Sequence, residues 1–116
     1  MGYYSSYSFI EVETVDGEDV FQEDLPDWDQ TFRDQTGYNW DSIGNDIKWY
    51  DYFDDMLEIS LLYPEVVFTL ERVGEDPSDR VLARFLNGKG ESVRGEVVYE
   101  EFKEIKEPYS KGAKDT

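Results

Sequence analysis

Carboxylates are the main chemical tools of this chain. Asp51 and Asp55 stand beside Trp49 and Tyr52, and Asp27 and Asp29 flank Trp28. Two carboxylates next to aromatic rings are the parts of a glycosidase or a sugar-binding face. A run of acids is also the raw material of a Ca²⁺ or Mg²⁺ loop. Neither reading is specific. The D-x-D-x-D-G calcium pattern is absent, and Asp27-x-Asp29 stops after two ligands. A chain with 28 Asp and Glu offers many such pairs without design. There is no His and no Cys. That excludes Ser/His/Asp and Cys/His catalysis, imidazole or thiolate zinc sites, and disulfides. The Gly-rich stretch 87–95 lacks phosphate-loop spacing, and Lys89 reads as part of a turn. The expectation is a non-enzymatic protein with no catalytic residues, no metal and no cofactor.

The charge points to binding instead. The 116 residues carry 28 acidic and 11 basic side chains, a net charge of −17. That sign excludes direct nucleic-acid or anionic-membrane binding, which needs Lys and Arg. Residues 1–58 hold 16 acids against Arg33 and Lys48, a net of −14. Residues 59–116 hold 12 acids and 9 bases, an ordinary mixed surface. Like charges on one surface repel and destabilise the compact state. Solubility or a halophilic habit is the plain explanation. The arginines at 72, 80, 84 and 94 argue against the halophile. The acids also alternate with Trp28, Phe32, Tyr38, Trp40 and Trp49, unlike a disordered acidic tail.

An ordered anionic surface can imitate nucleic acid. Carboxylates at i and i+3 or i+4 on a helix, or at i and i+2 on a strand, stand about 5–7 Å apart. That is comparable to phosphate spacing along one strand of a duplex. Arg and Lys that hold phosphates bind carboxylates as well, and long-range attraction speeds the encounter. The densest runs are 16–29 and 46–58. They supply Asp16, Glu18, Asp19, Glu23, Asp24, Asp27 and Asp29, then Asp46, Asp51, Asp54, Asp55 and Glu58. Trp28 and Trp40, in irregular acidic stretches, are candidate partner contacts.

The elements that must position these residues follow from pattern and punctuation. Residues 3–15 alternate as a strand, Tyr7, Phe9 and Glu11 on one face and Ser8, Ile10 and Val12 on the other. Asp16 to Asp19 is a turn. Asp27 to about Thr36 is a short helix, with Asp27 as N-cap, Trp28 and Phe32 one turn apart, and Gly37 as its stop. Ile47 to Tyr50 is a short strand. Asp51 caps a second helix with Asp54 in a box-like position. Its buried face is Phe53, Met56, Leu57, Ser60 and Leu61, and Pro64 ends it. Strands follow at 65–73, 79–86 and 91–102, the last two joined by a hairpin turn at Asn87 to Gly90. Phe53, Phe68, Phe85 and Phe102 read as core. The result is one α+β domain over 1–102 in the order β-α-β-α-β-β-β. It has an antiparallel or mixed sheet with two helices packed on one face. A polar tail follows at 103–116. The N-terminus lacks the pattern of a secretory signal. No apolar run approaches the roughly 18 residues of a membrane span. With no Cys, a reducing cytoplasm is expected.

Three stretches carry a resemblance. They are the opening Gly2-Tyr3-Tyr4, the segment Ile47-Lys48-Trp49-Tyr50-Asp51 through Asp54-Asp55-Met56, and Tyr63-Pro64-Glu65-Val66-Val67-Phe68-Thr69-Leu70 with Phe85-Leu86-Asn87-Gly88-Lys89. Together they resemble a family of small uncharacterised proteins of bacteriophages and mobile elements, over about half the chain. This chain departs from that family at Tyr52, where a His follows the Asp, and in its unusually acidic 16–46 segment. The resemblance implies a phage or prophage origin and transfers no catalytic residue. Small, very acidic phage proteins are similar in character to DNA-mimicking anti-CRISPR and anti-restriction inhibitors. The partner so implied is the basic groove of a host nucleic-acid-binding complex in the bacterial cytoplasm, a CRISPR effector first and a restriction enzyme second. The competing expectation is a regulatory protein that engages a host protein through Trp28 or Trp40, with the charge serving solubility.

Overall fold

The central strands are the most apolar part of the chain, and they organise the rest. In this computed structural model, which describes residues 3–76 and 78–94, β1 (Ser6–Thr14), β2 (Val66–Val73), β3 (Arg80–Leu86) and β4 (Lys89–Arg94) form one antiparallel sheet in the order β1-β2-β3-β4. Two helices, α1 (Trp28–Thr36) and α2 (Tyr52–Leu62), pack on one face. This is the expected α+β order. Its second strand is reduced to one antiparallel bridge between Ser5 and Ile47. The expected strand over 91–102 begins earlier, at Lys89, and its part beyond Arg94 lies outside the described residues, as do Phe102 and the 103–116 tail.

The core is aromatic. Trp28 of α1 stacks on Phe68 of β2 with ring centroids 5.5 Å apart and planes 13° apart. Phe9 of β1 meets Trp28, Phe32 and Phe68 edge-on. Phe53 of α2 meets Phe85 of β3 at 5.0 Å. Such edge and offset contacts suit ring quadrupoles, and burial of these side chains supplies much of the driving force. Phe68 and Phe85 are core as expected; Phe53 is half-buried against it.

Two details of register depart from simple periodicity. A β-bulge lies between Phe9 and Glu11, which pair with Leu70 and Thr69, so Ile10 has no partner of its own. The extra residue moves the alternation by one. Val12, expected opposite Tyr7 and Phe9, therefore joins their face, while Glu11 and Ile10 are exposed. In α2 the buried residues are Met56, Ile59 and Ser60, and Leu61 is 51% exposed. Ser60 is buried as expected. Its hydroxyl donates to the Leu57 carbonyl at 2.8 Å and accepts the Gly88 N–H at 2.7 Å. The helix thereby leans on the β3–β4 hairpin.

The punctuation residues act largely as expected. Asn87 and Gly88 have φ of 50° and 81° and form a two-residue turn between Leu86 and Lys89. Positive φ at both positions is the requirement of a type I′ hairpin. Gly37, at φ 84°, ends α1 and donates its N–H to the Arg33 carbonyl at 2.8 Å. Pro64 follows the C-cap Tyr63 of α2. Asp27 and Asp51 occupy the N-cap positions, but neither side chain makes a capping hydrogen bond. Asp27 sits instead in the left-handed region at φ 54°. Among the described residues, no helix is long and apolar enough to cross a membrane.

Candidate functional site

β1 is an edge strand, and an open edge invites pairing with other chains. Here the acidic loops close it. The chain turns at Asp16-Gly17, and Val20 N–H donates to the Val12 carbonyl at 2.8 Å while Glu13 bridges to Asp19. Further along the strand, Tyr7 N–H donates to Ile43 O, and Ser5 and Ile47 exchange N–H···O bonds. The sequence from 16 to 47 therefore runs from the β1 edge, through α1, and back to that edge. Apart from the exposed Phe21, its large apolar side chains turn inward, and its carboxylates turn outward. Asp16, Glu18, Asp19, Glu23, Asp24, Asp27, Asp29 and Asp46 are all exposed. Asp51, Asp54 and Glu58 are exposed around α2, a second and separate stretch of the same layer.

The acids at the start of α1 enclose space. A cavity of about 320 Å³ is lined by Glu23, Asp29, Arg33, Asn39, Trp40 and Asp41. A second, also about 320 Å³, is lined by Glu23, Leu25, Asp27, Trp28, Asp29 and Gln30. Glu23 and Asp29 line both, so the two cavities adjoin. Short 3-10 turns at Gln22–Asp24 and Trp40–Ser42 make part of their walls. Trp40 is fixed there: its indole N–H donates to Asp29 Oδ1, and its ring meets Trp28 edge-on at 6.2 Å. Arg33 is fixed too, its Nε and one terminal nitrogen donating to Asn39 Oδ1 at 2.9 and 2.7 Å.

Three expected contact residues have other duties. Trp28 is 2% exposed, and its ring belongs to the core rather than to an outer face. The i, i+4 pairing with Phe32 carried that information; the irregular acidic flank misled. Asp55 is half-buried and ties two elements together, accepting from Trp49 Nε1 at 2.8 Å and from Gln35 Nε2 at 3.3 Å. Asp46, at φ 45°, accepts the Ser6 hydroxyl at 2.6 Å and so holds its own loop to β1.

A third cavity, about 250 Å³, opens among Tyr3, Tyr7, Trp49, Tyr50 and Tyr52 with Arg72 in its wall. Sequence reading missed it, because Tyr3 and Arg72 are brought together only by the sheet. Arg72 donates to Asp79 Oδ1 at 2.9 Å and to the Ser5 hydroxyl at 3.1 Å. Burial opposes its charge, but the Asp79 hydrogen bond and charge outweigh that and raise its pKa. Tyr3 also donates to Asp79, which raises the Tyr3 pKa. The guanidinium is thus already engaged, and the cavity offers aromatic surface more than charge. No group of three or more carboxylates among the described residues could hold a metal ion. Comparison with protein-family models, curated proteins and solved structures yields no match for this chain.

Proposed function

We propose that this chain is a phage-encoded, non-enzymatic inhibitor of a bacterial defence nuclease, acting in the host cytoplasm as a nucleic-acid mimic. It occupies the cationic DNA- or RNA-binding groove of its target, a CRISPR effector first and a restriction enzyme second. One observation carries this reading. The carboxylates from Asp16 to Asp29 are exposed on backbone that is hydrogen-bonded to a sheet edge, wound into a 3-10 turn or placed at the start of α1. A fixed anionic surface can match a fixed cationic groove without a large ordering cost. Solubility alone asks for charge but not for order.

Competition is the test. The tagged protein is used to capture partners from bacterial lysate near physiological salt, and the complex is challenged with duplex DNA and with high salt. A nuclease or CRISPR complex released by both supports the mimic. Charge reversal at Glu18 and Asp19, or at Asp24 and Asp27, is expected to abolish capture. Retention of binding by both reversed pairs overturns the reading.

A second reading has its own observation. Phe21 and Tyr50 are 67% and 62% exposed, large aromatic rings mostly in water, although the Tyr50 hydroxyl accepts the Tyr3 N–H at 2.9 Å. A regulatory protein that binds a host protein through aromatics would use such residues, and its complex would resist salt. Phe21→Ala would then weaken capture more than charge reversal does.

A further inference from the structure

The face of the sheet turned away from the helices is buried. Alternation along the strands puts Glu13, Val67, Thr69, Leu82 and Arg84 on that face, because their neighbours Val12, Phe68, Leu70, Ala83 and Phe85 pack in the core with the helices. All five are 6% exposed or less. Yet Val67 and Leu82 stand outside the aromatic core cluster. An antiparallel sheet with one solvated face carries exposed polar side chains there. This face holds two buried aliphatics instead, beside a carboxylate and a guanidinium nearly shut off from water. Such charges are almost never buried where nothing lies over them. The Thr69 hydroxyl is shut off as well, with no hydrogen-bond partner among the described residues. Both described helices lie on the other side of the sheet.

We infer that this face is a docking surface for the chain's own segment after Arg94: residues 97–107 lie across it as an amphipathic helix, with Val98, Phe102 and Ile105 set on Val67 and Leu82. The chain continues for 22 residues beyond the end of β4, so the occupant begins at the border of the face it covers. Val98, Phe102 and Ile105 recur at i, i+4 and i+7, one helical stripe. Glu100, Lys103, Glu104 and Glu107 fall on the opposite side, and Pro108 follows as a stop. Eleven helical residues are about 16 Å long. Four strands about 4.8 Å apart span about 14 Å, so one such helix crosses the sheet. A strand continued to residue 102 fits less well. Arg94 pairs with Val81 and β3 begins at Arg80, so that strand would run past its β3 partner and leave Val67 and Leu82 uncovered. A second copy of the chain is a poor occupant, because two bodies of charge −17 repel. This cover does not depend on any partner of the acidic layer.

Proton–proton contacts within the full chain test it. In a sample with ¹³C-labelled methyl groups, the Phe102 ring is expected to give cross-peaks to the Val67 and Leu82 methyls. It is expected to give none to Ile59 and Met56, which belong to the other face. Phe102→Asp is expected to shift the Val67 and Leu82 methyl signals and to leave those of Ile59 and Met56 in place. Lys103→Asp, off the stripe, is expected to move neither set. Missing cross-peaks between Phe102 and the two aliphatics overturn the inference, and this wild-type result decides even where Phe102→Asp unfolds. A folded Phe102→Asp chain whose Val67 and Leu82 methyls do not move overturns it too. Backbone ¹³Cα shifts over 97–107 are expected to be helical; strand-like shifts overturn the helix. An equal mixture of labelled and unlabelled chains separates the two origins of a contact. Cross-peaks found between unlike molecules make the occupant a second copy and overturn the assignment to the chain's own segment.

Discussion

The indole N–H of Trp49 donates to Oδ2 of Asp55 at 2.8 Å, and this one bond changes the meaning of an acidic run. Asp54, Asp55 and Glu58 read alike in the sequence. In the fold, Asp54 and Glu58 are exposed, whereas Asp55 satisfies a buried indole and reaches Gln35 of α1 with its other oxygen. A carboxylate spent in this way is not available to a partner. Replacing Asp55 with Ala leaves the Trp49 N–H unmatched in a buried site. That is expected to cost about 1–3 kcal/mol, against less than about 0.5 kcal/mol for Asp54→Ala. Urea unfolding of the two variants checks the contrast.

The aromatic stack sets the stability of the whole domain. Phe68 is completely buried and touches Trp28, Phe9 and Tyr63. Phe68→Ala is expected to cost about 3–5 kcal/mol through lost burial and the cavity left behind. Tyr50→Ala, at a ring that is mostly in water, is expected to leave the unfolding midpoint nearly unchanged.

The β3–β4 turn makes a sterically specific demand. Gly88 has φ 81°, and a Cβ there would lie 2.7 Å from Leu61 Cδ2. Gly88→Ala is therefore strained in its backbone and crowded against α2. A loss of more than about 1 kcal/mol is expected. Asn87→Gly, at the other positive φ, is expected to be nearly neutral, because glycine adopts that backbone freely. Thermal melts of the pair distinguish them.

Alkaline pH weakens this protein through Tyr7. Burial is the main cause that pushes the Tyr7 pKa from 10.0 up to about 12. Its hydroxyl donates to the Trp49 carbonyl at 2.8 Å. The folded state holds this proton more tightly than the unfolded chain does. Its contribution to stability is complete below about pH 10 and is lost progressively as pH rises through about 12. Urea midpoints measured across this range should fall, and Tyr7→Phe should fall less steeply.

The surface charge predicts a response to salt of the opposite kind. With a net charge of −17, self-repulsion opposes the compact state. Raising NaCl from about 0.01 M to about 1 M shortens the screening length from roughly 30 Å to roughly 3 Å. The melting temperature is expected to rise, while binding to any cationic partner weakens. Glu18→Lys with Asp19→Lys should raise stability at low salt for the same reason. A melting temperature that falls with salt would show that ion pairs such as Arg72–Asp79 outweigh repulsion.

Sequence alone determined what depends on neighbours along the chain. Trp28 and Phe32 fall one helical turn apart, which marked α1 as a helix, although Trp28 was expected at a partner surface and lies in the core. Asn87-Gly88 dictated its turn, because few other pairs adopt positive φ twice. The alternation of 66–70 marked a strand, and the total charge excluded a free-standing nucleic-acid binder. What the tertiary structure decided depends on which distant groups meet. The bulge at Ile10 reverses the phase of β1, and no local signal marks where a strand gains an unpaired residue. Ser60 was legible on the buried face of α2, but the Gly88 N–H that its hydroxyl accepts comes from 28 positions away. Asp55, Asp46 and Asp29 are told apart from their acidic neighbours only by the Trp49, Ser6 and Trp40 donors brought to them. A carboxylate's charge is written in its own residue type. Whether it faces solvent, a partner or a buried N–H is set by packing, and packing is a property of the whole chain.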